Sequence, residues 1–232
     1  MKYVLMSGSF KRMEIYQEII NFLNKYSLNN KKIAFIAADF NSFEDNDKYI
    51  KKIVKLFSDK KFEFNTIYTI DNRIISSKMK KNIKNSDIIF LLGGDTLDQI
   101  KSIDKYKLKN YIKEKNKIVI GMSAGSINMA KNVVLAKDEE DGIPELSIYE
   151  GIGITDLNIE PHCDFSNKKH WKEIEKASTY SDIIVMHDDC YIIVDDEIIN
   201  YYGSYIKMTN SIIYYNNKKC TLEKFKEEIN YD

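Results

Sequence analysis

Ile118-Val119-Ile120-Gly121-Met122-Ser123-Ala124-Gly125-Ser126-Ile127-Asn128-Met129 reads as a hydrophobic strand running into Gly-x-Ser-x-Gly and then into a helix. The strand's apolar residues do not alternate with polar ones, so a core is expected on both of its faces. Turning at once from strand to helix holds the central serine in a strained backbone conformation and projects its side chain beyond the strand's carboxyl end. The flanking glycines remove β-carbons that would collide in so tight a turn. The helix that follows offers unpaired N–H groups and a positive dipole end, both suited to a developing oxyanion. With nine glycines and 17 serines in 232 residues, chance would produce the motif only about 0.03 times, before its strand context is required.

Outward from this stretch, short apolar runs at 3–6, 33–38 and 88–92 resemble the run at 118–121. Between them, residues 13–26, 47–57 and 97–115 carry apolar side chains at three- and four-residue intervals, the period of an amphipathic helix. Alternation of this kind predicts an α/β fold, a doubly wound, mostly parallel sheet with helices on both faces. The last third changes character. Residues 183–186 form another apolar run, 191–194 and 198–202 read as an antiparallel hairpin turning at 195–197, 211–215 as a further strand and 222–229 as a closing helix. No repeat, low-complexity tract or linker interrupts the chain, so a single domain over 1–232 is expected. The lysine clusters at 51–55 and 78–84 read as solvated helix faces.

Bulk composition narrows the function classes. Lys plus Arg and Asp plus Glu are both 35, and a net charge of zero argues against capture of nucleic acid or an anionic membrane. Arg12 and Arg73 are the two arginines, so a bidentate clamp on a carboxylate or phosphate has two candidates. Cys163, Cys190 and Cys220, odd in number and without a C-x-x-C pair, read as reduced thiols. The opening apolar run is too short for a signal peptide or membrane span. A cytoplasmic protein is expected.

A second glycine cluster lies at the end of another strand, in Leu91-Leu92-Gly93-Gly94-Asp95-Thr96. Sites in open α/β sheets form at such carboxyl ends, and Gly94 can pair its N–H with that of Ala124 as an oxyanion hole. Ser123 needs a base, and the histidines are His162, His170 and His187. His162 follows Pro161 at the end of a strand-like segment and is the preferred base, with His187 its rival. His170 sits in the charged, helix-like segment 168–176 and reads as surface. Asp138, Asp188 and Asp189 are all candidates to orient the imidazole. Cys163 lacks an elbow and reads as packing.

Together these residues resemble the serine peptidase family that contains aspartyl dipeptidase (dipeptidase E) and cyanophycinase. The resemblance spans the first strand with its Ser/Gly loop, Gly93-Gly94-Asp95-Thr96, the Gly-x-Ser-Ala-Gly elbow, Pro161-His162 and the late strand ending at Asp188-Asp189. It implies a class I glutamine amidotransferase-like fold carrying serine where those enzymes carry cysteine. Ser123 falls on the family's nucleophile, His162 on its base, and Gly94 and Ala124 on its oxyanion donors. Asp138 falls on an aspartate counted with the active site, and Asp188 near the proposed acid, with Asp189 one residue away. Hydrolysis of a small peptide through an acyl-enzyme is implied, without metal or organic cofactor, by a monomer or homodimer. The same machinery also serves amidases and esterases, and the fold alone serves non-catalytic binding modules. Leu92 replaces the family's third glycine, and residues 167–176 hold no arginine to bind an aspartyl side chain.

Overall fold

The computed structural model describes residues 1–8, 16–26, 31–139 and 142–229. Four apolar runs form β1 (Lys2–Met6), β2 (Lys32–Ile36), β4 (Ile88–Leu91) and β5 (Ile118–Met122), each buried over nearly its whole length. With β3 (Thr66–Ile70) they make a parallel array, β1-β5-β4-β2-β3. β10 (Tyr191–Asp195) and β11 (Ile198–Tyr202) extend it antiparallel beyond β1, giving seven strands. β3 escapes a reading by hydrophobic runs because it is an edge strand. Only Ile70 of its five residues is buried, and Ile67 is 42% exposed.

Helices cover both faces, as the alternation predicts. α1 (Gln17–Lys25) and α2 (Phe43–Asp59) place Ile19, Leu23, Ile53 and Phe57 against Val4, Phe35, Phe90 and Ile120. On the other face, α3 (Ser76–Lys84), α4 (Thr96–Lys105) and α5 (Lys109–Ile112) bring Met79, Ile83, Ile103 and Ile112 onto Leu5, Ala34, Leu91 and Val119. The single helix expected over 97–115 is two, separated where Lys107 takes a φ of 55°. Residues 13–15 of the first expected helix, and Arg12, lie outside the described residues.

After β5 come the one-turn α6 (Ala124–Ile127) and an antiparallel ribbon of β6 (Asn132–Leu135) and β7 (Ser147–Glu150). The hairpin expected at 191–202 is present as β10 and β11. The last third also builds a second sheet that hydrophobic runs alone did not separate from the first. It contains β8 (Asn158–Glu160), β9 (Ile183–Met186), β12 (Tyr205–Thr209), β13 (Ile212–Tyr215) and β14 (Lys218–Cys220), in the order β14-β13-β12-β9-β8. α7 (Lys168–Ala177) and α8 (Leu222–Glu228) contribute Trp171, Ile174 and Phe225 to its core, with Val185, Ile206 and Met208. The four residues His187 to Cys190 link β9 to β10 and so join the two sheets. No helix among the described residues is long and apolar enough to cross a membrane.

Candidate active site

β1, β5 and β4 are neighbours, so the loops after them converge at one end of the sheet. Ser123 follows β5 with φ 50° and ψ −116°, a backbone conformation rare for a residue with a side chain. Such strain costs about 1–3 kcal/mol and persists only where the surroundings enforce it. Here the Ser123 amide donates to the Met6 carbonyl at 2.9 Å, and the Ser123 carbonyl accepts from Ile127 N–H at 3.0 Å. The elbow's second serine adds a clasp on β1. Met6 N–H donates to Ser126 Oγ, and that hydroxyl donates to the Met6 carbonyl, both at 3.0 Å.

The motif's two glycines are required by different neighbours. A β-carbon on Gly121 would lie 2.6 Å from the Ser126 nitrogen, inside the turn itself. One on Gly125 would lie 2.3 Å from the Leu91 carbonyl oxygen, on the adjacent strand. The second glycine thus lets the elbow helix sit directly on β4.

Beyond β4, the Gly93–Gly94 loop lies against the serine: a β-carbon on Gly93 would come 3.4 Å from that of Ser123. Asp95 caps α4 by accepting from the Asp98 amide at 2.8 Å. Among the described residues, neither the Gly94 nor the Ala124 amide donates a hydrogen bond.

The second sheet supplies the histidine. His162 follows β8 and Pro161, with a φ of 57°. Its Nε2 lies 2.8 Å from Ser123 Oγ and its Nδ1 lies 2.6 Å from Asp188 Oδ1. A carboxylate only accepts, so Nδ1 carries the proton toward Asp188 and Nε2 is left to accept from the serine hydroxyl. The His162 and Asp188 side chains are about a quarter exposed, which leaves the line open to solvent.

Ser7, directly after β1, is a site residue that no motif in the chain marks by itself. It is fully buried, and its hydroxyl accepts from the His162 amide at 2.9 Å. Its own amide donates to the Cys190 carbonyl at 3.0 Å, and the next amide, of Gly8, donates to the Asp188 carbonyl at 3.2 Å. These bonds tie the loops of His162 and Asp188 to the first sheet. The available signal was the Ser-Gly pair placed directly after the first strand.

The remaining candidates lie elsewhere. Asp189 pairs with His187, Oδ1 to Nδ1 at 3.0 Å, and accepts from the Ser204 amide at 3.2 Å. Asp138 is not beside His162: its Oδ2 lies 3.1 Å from Nδ1 of His170, whose Nε2 lies 3.2 Å from Glu160 Oε1. His170 itself is 9% exposed, against the surface position expected of it. The reason is α7's buried stripe of His170, Trp171, Ile174 and Ala177, a helical spacing that the surrounding lysines obscured.

Burial and the neighbouring carboxylates of Glu160, Asp164 and Asp138 push the Cys163 thiol well above its ordinary range. That is the wrong direction for a nucleophile. Arg73 is already engaged by Asp47 and Asp71, each at 2.7 Å, and their carboxylates hold its guanidinium all the more firmly protonated. No group of three or more His, Cys, Asp or Glu side chains among the described residues is arranged to hold a metal ion.

A family model described as peptidase family S51 matches residues 3–202. A solved structure of a "Putative Peptidase E Protein" from Listeria monocytogenes EGD-e has a TM-score of 0.61 and 16% identity. That match covers 87% of this chain and 97% of the other. A peptidase from an acI-B1 Actinobacterium gives a TM-score of 0.67 and 14% identity, over 95% of this chain and 93% of that one. At such identities the likeness is one of fold. No curated protein matches.

Proposed function

The chain belongs to peptidase family S51, a family of serine peptidases, and from that premise we propose that it cleaves short peptides through an acyl-enzyme on Ser123. The observation that carries the reading is the line from Ser123 Oγ through His162 to Asp188, with spacings of 2.8 and 2.6 Å. His162 takes the serine proton as Oγ attacks the scissile carbonyl, and later returns it to the leaving amine. Asp188 keeps the imidazole in the tautomer whose Nε2 can accept, and stabilises the imidazolium that forms. The Gly94 and Ala124 amides receive the oxyanion. Among the described residues neither amide donates a hydrogen bond, which leaves both donors available to it. Water then repeats the attack on the acyl group, with His162 again as base.

Substrate choice follows from what is not at hand. Arg73 is held between two aspartates, and residues 167–176 hold no arginine, so neither region favours an aspartyl side chain. The test is labelling of purified protein with a fluorophosphonate probe, read by intact mass and peptide mapping. A single adduct on Ser123, lost in His162→Ala, is expected, and a dipeptide library then identifies the preferred side chains. Folded protein that takes no adduct overturns the reading.

A further inference from the structure

Beneath the site a chain of buried amides connects the two loops that carry the oxyanion donors. Gln99, on α4, and Asn128, at the end of α6, are both fully buried. Gln99 Nε2 donates to the Leu92 carbonyl at 2.9 Å and to the Ala37 carbonyl at 3.3 Å. Its Oε1 accepts from Asn128 Nδ2 at 3.0 Å, and the same Nδ2 donates to the Thr96 carbonyl at 2.9 Å. Asn128 Oδ1 accepts from the Tyr149 hydroxyl at 2.9 Å. Its backbone N–H donates to the Ala124 carbonyl at 3.0 Å, and its carbonyl accepts from Ile152 N–H at 2.8 Å.

Buried polar side chains are normally hydrogen-bonded, and satisfaction alone would explain any one of these contacts. What it leaves unexplained is their destination. Leu92 and Thr96 bracket Gly93 and Gly94 on both sides, and Ala124 opens the elbow helix. The amide chain therefore braces one donor's loop against the other donor's helix. Hydrogen bonding through a low-dielectric interior makes such a brace stiff.

Resting on the serine-peptidase reading above, we propose that Gln99, Asn128 and Tyr149 are positioning residues that set the separation of the Gly94 and Ala124 amides. They touch no reacting atom and act through the backbone. Donor placement of this kind matters because the amides must meet the oxygen where charge develops, not where the ground-state carbonyl sits.

The test uses the fluorophosphonate probe itself, since its reaction needs the same donors. Ser123 Oγ forms a bond to phosphorus, fluoride leaves, and the serine proton passes to His162, while the phosphoryl oxygen gains charge in the transition state. Saturation kinetics separate the maximal labelling rate from the concentration giving half of it. Gln99→Met keeps the volume and removes the amide, and is expected to lower the maximal rate by about 10–100-fold with half-saturation within about 2-fold. Tyr149→Phe, which removes only the outermost hydroxyl, is expected to lower it by about 3-fold and guards against a Gln99 variant that fails to fold. Hydrogen exchange over residues 92–99 should speed up in Gln99→Met while exchange in β2 stays unchanged. Unchanged labelling kinetics in both folded variants, with wild type labelled on Ser123, overturn the brace alone. A wild type that takes no adduct overturns the functional reading instead.

Discussion

His162 and His170 stand eight residues apart, each against carboxylates, yet their settings differ in every respect that bears on catalysis. His162 lies in a loop with φ 57°, partly open to solvent, with a hydroxyl on one nitrogen and a carboxylate on the other. His170 lies within a regular helix, buried, with a carboxylate on each nitrogen. A base must be able to accept a proton from something that reacts. The contacts seen at His170 are with the carboxylates of Asp138 and Glu160, and they tie α7 to the segments that carry those two residues. An Asp–His pair is thus not a catalytic signature by itself. The third partner, and the side of the sheet on which it arrives, decides.

The comparison breaks most directly at Ser123 and His162, the proposed nucleophile and base. Ser123→Ala should abolish turnover and probe labelling with a nearly unchanged melting temperature, and His162→Ala should lower kcat by about 10³-fold or more. Activity retained in either variant would place the chemistry elsewhere. A second pair of variants sharpens the contrast between the two clusters. Asp188→Asn should lower kcat by about 10²–10⁴-fold because the imidazole loses its tautomer and orientation. Asp138→Asn should instead change kcat by less than about 3-fold and lower unfolding free energy by about 1–3 kcal/mol, because its deficit falls on buried His170. Urea denaturation beside steady-state kinetics separates the two, and the reverse pattern would make Asp138 the orienting acid. The smallest effect belongs to His187→Gln. His187 is paired with Asp189 and packs beside Phe165 at a ring separation of 6.2 Å, so kcat within about 3-fold of wild type is expected from stopped-flow or steady-state assays. A loss larger than that of His162→Ala would exchange the two bases.

Much of this site was legible along the chain because its parts are local. Gly121, Ser123 and Gly125 lie within five residues, and a strand–turn–helix of that length has few ways to fold. The Gly93–Gly94 loop likewise announces itself at the end of an apolar strand. Edge elements were the hardest to read. β3 is half-exposed, so it leaves no unbroken apolar run of the kind that marks the central strands. The burial of His170 is hidden for a related reason: a helix flanked by lysines still buries one stripe, and charge on the other faces masks it.

Composition, strand runs and the elbow motif determined that this is an α/β chain with a serine at the carboxyl end of a central strand. They could do so because hydrophobic period and turn chemistry act over a few residues. Which aspartate faces His162, that Ser7 anchors the histidine loop, and that Asp138 serves another histidine were decided only by tertiary structure. Those partners come from two different sheets and lie between 26 and 155 residues from His162 or, for Asp138 and His170, across separate elements. Their meeting depends on how the His187–Cys190 link sets one sheet against the other, and no local pattern in the chain records that angle.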